Sequence, residues 1–224
     1  MLGMASHEDP IVYLSDGGHF ENLGMYELLR RRCKFIIAVD CSGEPSDPED
    51  ELNFQGLAEP ARRGRIDFGI DIDIDLRPLM RNPETREVKS HFAVGRIHYP
   101  TESGQVGDVP SEQSTGILVY IKPGRVEGQL PPDIINYSRQ IGPAFPHDPT
   151  SDQQFDSPQF ESYRKLGFLA GRAVITATGN KVGVPAKFEE LHVQFRKLLR
   201  DQFGETSPAA GQPTKVVVRT MPKE

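Results

Sequence analysis

Short apolar runs and one regular alternation mark the first half of the chain, and helical stripes mark the second. Ile11-Val-Tyr-Leu14 is a run of β-formers that stops at Ser15-Asp16-Gly17-Gly18, which predicts a buried strand ending in a tight turn. Leu23, Tyr26 and Leu29 then recur at helical spacing beside Met25 and Leu28, with Asn22 as the expected N-cap. Arg30-Arg31-Arg32 close that helix, where cations complement the negative end of its dipole. Lys34 to Asp40 reads as the next buried strand. Strand, helix, strand with a crossover about one helix long is the pattern of a parallel pair in an α/β sheet. It puts the Asp16 turn at a strand's carboxyl end, the edge where ligands collect in open α/β sheets.

Beyond the polar loop Ser42 to Asp50, Leu57, Ala58 and Ala61 predict a short helix weakened by Pro60. Ile70, Ile72, Ile74 and Leu76 alternate with Asp71, Asp73 and Asp75, the signature of a half-buried strand with an acidic solvent face. His91 to Tyr99 and Thr115 to Lys122 read as two strands of a long hairpin or meander. Pro131-Pro132 opens a helix through Arg139, and Ile141 to Phe155 is a Pro-rich polar loop. Ser157 is the expected N-cap of a helix whose stripe is Phe160, Tyr163, Gly167, Ala170, Gly171 and Val174, small enough for close packing on the sheet. Phe188, Leu191, Phe195, Leu198 and Leu199 form a last amphipathic stripe. Residues 1–203 thus carry the folded part, and 204–224 read as a mostly disordered tail.

Composition narrows the function classes. At 224 residues the chain is long enough for one large domain or two small ones, and 21 Gly with 19 Pro make it loop-rich without being low in complexity. Twenty-six basic against 32 acidic residues give a net charge of -6, which excludes the basic face that nucleic-acid binding needs. Cys33 and Cys41 bracket the predicted strand Lys34 to Asp40, too far apart for a disulfide, so both are expected to be reduced. The apolar runs Phe35 to Val39 and Ile117 to Ile121 fall far short of the ~20 residues a membrane-spanning helix takes. The start lacks the pattern of a signal peptide, so the expected location is cytoplasmic, or membrane-associated through a parent protein.

Chemistry concentrates at Asp16-Gly17-Gly18 with Asn22 close behind. A carboxylate at a strand end followed by two glycines projects into a cleft or stabilises its own turn. The other candidates are weaker. Asp71-x-Asp73-x-Asp75 lacks the glycine and the closing glutamate of a calcium loop, and the six histidines have no metal-ligand spacing. His19 lies near Asp16 as a turn residue. Asp40 has no Gly-x-Gly-x-x-Gly before it, and His147-Asp148 sit in a loop where such residues line a cleft or are simply solvated.

The segment Tyr13 to Cys33, with Asp16-Gly-Gly at its centre, resembles the Asp-Gly-Gly region of bacterial patatin-like phospholipases. The likeness continues through Arg65 to Gly69, His91 to Pro100 and Phe155 to Arg164, spanning roughly residues 11 to 175. It implies a three-layer α/β/α sheet, incomplete at its N-terminal side, and lipid or phospholipid ester hydrolysis by a Ser-Asp dyad with Asp16 as base. Gly17, Gly18 and Asn22 would then shape the turn that holds Asp16, with no metal or organic cofactor. The family's Gly-x-Ser-x-Gly elbow occurs nowhere in this sequence; Ser15, Ser42, Ser103 and Ser114 all lack it. The isolated chain is therefore expected to be inactive. The rival expectation is a non-catalytic module that binds a partner or a membrane surface, or associates through an exposed sheet edge.

Overall fold

The computed structural model describes residues 16–44, 52–100, 114–142, 145–149, 152, 154–181 and 187–203. The predicted strand Ile11 to Leu14 and the tail 204–224 lie outside the described residues. The chain is α/β. Four strands, β1 (Phe35–Val39), β2 (Asp71–Ile74), β3 (Phe92–His98) and β4 (Thr115–Ile121), form one mixed sheet in the order β1-β4-β3-β2. β1 runs parallel to β4, and the β2/β3 and β3/β4 pairs are antiparallel. The two apolar runs at 91–99 and 115–122 do form the expected hairpin, with Phe92 opposite Ile121 and His98 opposite Thr115.

Burial follows from the strand period. On one face Ile36, Ala38, Ile72, Ala93, Ile97, Leu118 and Tyr120 meet α1 (Met25–Arg30) and α2 (Gln55–Phe68) through Met25, Leu29 and Leu57. On the other, Val94, Ile117, Val119 and Ile121 meet Ala170 and Val174 of α4 (Ser157–Ala177) and Phe195 and Leu199 of α5 (Phe188–Phe203). α3 (Pro132–Ile141) lies against α4, where Ile134 and Tyr137 pack with Phe145 and Leu166. Central β4 is sealed on both sides: Leu118, Val119 and Tyr120 are each 0% exposed. Among the described residues no helix is long and apolar enough to cross a membrane.

Local chemistry moved several boundaries. α2 is not a short helix; it runs 14 residues with Pro60 inside it. Pro60 is the sixth residue of α2, so its missing N–H removes one bond just past the turn whose donors have no intrahelical partner anyway. α1 is not capped by Asn22. Its N-cap is Gly24, and the Glu21 carboxylate accepts from the backbone N–H groups of Leu23 (2.8 Å) and Tyr26 (3.3 Å). α4 is capped by Asp156 and not Ser157, with Asp156 Oδ1 accepting from Gln159 N at 2.8 Å. The inward face of α4 is Ser162, Leu166, Ala170 and Val174; Phe160 is 61% exposed, and Gly167 and Gly171 have nothing within 4 Å of where a side chain would stand. Counting glycines as packing residues had rotated the stripe. The aspartates of β2 are half-buried and engaged: Asp73 Oδ2 lies 2.8 Å from His98 Nε2, and Asp75 pairs with Arg77. Arg30 and Arg31 both pair with Glu27, and Cys33 and Cys41 are free thiols.

The sealed position of Leu118 between two packed faces predicts that Leu118→Ala costs about 2–5 kcal/mol, while Val193→Ala on the exposed side of α5 stays within about 0.5 kcal/mol. Urea denaturation midpoints of the two variants check this.

Candidate functional site

Asp16 opens a short 3-10 turn over Gly17–His19. Its Oδ1 accepts from Gly18 N at 2.9 Å, and its carbonyl accepts from His19 N at 3.1 Å. The side chain is exposed. A Cβ on Gly18 would stand 2.6 Å from Asn22 Oδ1 and 3.3 Å from Asp16 Oδ1, so the bare glycine lets both side chains close over it. Asp16, Gly18 and Asn22 are thereby brought together, whereas Gly17 touches nothing within 4 Å of a would-be Cβ. The turn is anchored behind by rings: Phe20 meets Tyr26 edge-on at 4.8 Å, Tyr26 meets Phe68 at 5.0 Å, and the Arg63 guanidinium lies 4.1 Å from the Phe20 centroid.

Beside the turn lies an open cleft of about 420 Å³. Gly18, His19 and Asn22 form one wall, Ser42 and Gly43 just past β1 form another, and Gly56 and Glu59 of α2 form a third. The cleft therefore sits at the carboxyl end of β1 and the first turns of α2, the kind of edge the strand order favours for ligands. His19 lines it, but Asp16, Gly17 and Asp148 do not; of the Asp148 loop Pro149 does.

Under the cleft wall is a buried charged cluster that sequence reading missed. Lys122 Nζ lies 3.3 Å from Asp40 Oδ2 and 3.0 Å from Glu44 Oε1, with all three side chains no more than 1% exposed. Tyr120 and Ser42 hydroxyls donate to Asp40, as does Ser42 N at 2.9 Å, and Asn53 N donates to Glu44 Oε2 at 2.9 Å. Burial alone would raise the Asp40 pKa, but Lys122, Ser42 and Tyr120 together hold it below its ordinary value. The same burial and the Asp40 charge push the Tyr120 phenol far up, keeping it a donor. Ser42 Oγ is thus committed to an ionised, weakly basic carboxylate. The approach is so close that a Cβ on Gly56 would stand 2.5 Å from Asp40 Oδ2. A sequence signal existed: Ile36, Ala38 and Asp40 share one face of β1, and Leu118, Tyr120 and Lys122 share the same face of β4. The register that sets Val39 opposite Ile121 brings the two charges together.

His147 is not solvated as loop residues of its type usually are; it is 3% exposed, while Asp148 accepts from Tyr163 OH. Burial and the nearby cations Lys122, Arg81 and Arg86 push the His147 imidazole well below its ordinary pKa, against the pull of Asp40. His91, 1% exposed with neither ring nitrogen hydrogen-bonded among the described residues, is lowered to about 4 by burial.

No family model, curated protein or solved structure matches the chain. Among the described residues no group of His, Cys, Asp and Glu has the arrangement of a metal site.

Two outcomes follow from the buried charges. Lys122→Met leaves Asp40 and Glu44 facing each other without a cation and should cost about 3–5 kcal/mol, measured by urea denaturation. Acid should also weaken the fold. A histidine whose folded pKa lies below its unfolded value near 6.5 stabilises fully above that pH, and the contribution is lost as pH falls toward the folded pKa. For His91, with a folded value of about 4, stability should drop by about 2 kcal/mol between pH 7 and pH 5. His91→Leu should flatten that part of the pH profile.

Proposed function

We propose that this chain is the carboxyl-terminal part of a patatin-type lipid acyl hydrolase domain, with a three-layer sheet, in which Asp16 is the base of a Ser-Asp dyad. The observation that carries the reading is that Gly18 and Asn22, motif residues of the resemblance, line a cleft at the carboxyl end of β1, with Asp16 outside the lining but bonded to Gly18 N. Asp16 is exposed, so its carboxylate is open to a partner hydroxyl. In that role it takes the proton from a serine as the serine attacks a fatty acyl ester, then returns it to the leaving alcohol. The sequence contains no Gly-x-Ser-x-Gly, and the cleft's own Ser42 is tied to Asp40, so the nucleophile comes from residues outside this sequence. The substrate class is a lipid or phospholipid ester, and the reaction runs on backbone donors for the oxyanion without a cofactor.

The second reading, a non-catalytic module that associates with a partner, is favoured by β1. It ends the sheet among the described residues, and Ile37 and Val39 on it are 45% and 56% exposed.

The two separate in one assay. The product of the complete gene should hydrolyse a short-chain p-nitrophenyl ester and a phospholipid, and Asp16→Asn should lower kcat by about 10²–10⁴-fold. The chain of residues 1–224 alone should show no Asp16-dependent turnover. Full-gene turnover that is indifferent to Asp16, or absent, sinks the acyl hydrolase reading and leaves the module.

A further inference from the structure

α4 buries Ser162, Leu166, Ala170 and Val174, and its outer side mixes exposed aromatic rings with charged residues. Phe160 is 61% and Phe168 49% exposed, Phe155 just ahead of the helix is 45% exposed, and Gly167 and Gly171 open onto empty space. Exposed rings set among cations on one helix face suit a cover with an apolar layer beneath a charged one. Charge says what kind of cover fits. From Gln159 to Phe188 the sequence holds five basic residues, Arg164, Lys165, Arg172, Lys181 and Lys187, against one acidic one, Glu161, which pairs with Arg164 at 2.6 Å, in a chain whose net charge is -6. The Lys165 ammonium lies 5.3 Å from the Phe168 ring centroid, and Arg172 is exposed one turn further on.

We propose that the outer face of α4 docks on the surface of an anionic lipid bilayer, with Phe160 and Phe168 entering the headgroup boundary and Lys165 and Arg172 meeting the lipid phosphates. Aromatic rings sit at that boundary with one side apolar and one side wet, and each nearby cation adds about 1 kcal/mol, roughly fivefold, on an acidic membrane. Eight residues separate the two phenylalanines, about 12 Å along the axis, so a helix lying flat presents both at once. Phe155 stacks on Tyr163 at 5.3 Å, Tyr163 bonds Asp148, and the next residue, Pro149, lines the cleft wall. Docking by α4 deepens the lipid-ester reading, but vesicle binding is measured without turnover, so either one can fail alone.

The test is flotation of the purified chain with vesicles of phosphatidylcholine alone and of phosphatidylcholine with phosphatidylglycerol in equal parts. The chain should rise with the anionic vesicles, stay down with the neutral ones, and be released by high salt. Phe160→Ser with Phe168→Ser should lower partitioning more than about tenfold. Lys165→Gln with Arg172→Gln should lower it about 25-fold. Ile66→Ser with Val193→Ser, which removes equally exposed apolar residues from α2 and α5, should change nothing. The proposal is overturned if the chain stays off anionic vesicles, which would leave the face to a protein partner. It is also overturned if the α4 variants float like the unaltered chain, or if the α2/α5 pair loses as much.

Discussion

Lys122 stands where β4 runs out, sealed from water between the carboxylates of Asp40 and Glu44. Each of these charges alone would be expelled from such a place, since an unpaired buried ion costs several kcal/mol. Held together they fix three separate segments: the end of β1, the end of β4 and the loop that carries Glu44. Asp40 then fixes Ser42 by its backbone and side chain, and crowds the first turn of α2 so closely that only glycine fits at position 56. Ser42 and Gly56 are two of the cleft walls. The open cleft therefore takes its shape from a cluster that never touches solvent.

That dependence separates two kinds of aspartate, Asp40 just past β1 and Asp16 at the start of its 3-10 turn. Asp40 is saturated with donors and cannot move a proton at neutral pH without losing the Lys122 pair. Asp16 is exposed, and its carboxylate accepts from Gly18 N within its own turn. A base must be free to gain a proton and give it back, so the first carboxylate suits architecture and the second suits chemistry. His147 and His91 extend the same division. Both are buried neutral, and their protonation on acidification would load further positive charge beside Lys122 or into an apolar site.

The elements with strict periods were legible before any coordinates. The β3/β4 hairpin falls within a residue of its apolar runs, because two strands with continuous hydrophobic sequence have no competing arrangement. What failed were positions decided by contacts distant in sequence. The Asp40–Lys122 pair joins residues that only the β1/β4 register brings together, and α4 was turned about its axis because Gly167 and Gly171 carry no side chain to report which way they face. Caps moved by one or two residues where a neighbouring carboxylate, Glu21 or Asp156, reached the helix end first. The Asp16 turn was legible as a turn, but the closeness of Asn22 to Gly18 is a property of the folded loop.

The misread face of α4 is also what gives the molecule direction. α4 and α5 cover β3 and β4 on one side of the sheet, and α1 and α2 cover the other, so every strand face near the centre is already satisfied. Phe160 and Phe168 contribute nothing to that core; what sets them apart from other exposed apolar residues is that Lys165 and Arg172 stand on the same side of the helix. On the two proposals together, α4 would hold the chain against the bilayer that contains the ester while Asp16 serves as base, and among the described residues no helix is long and apolar enough to cross that bilayer.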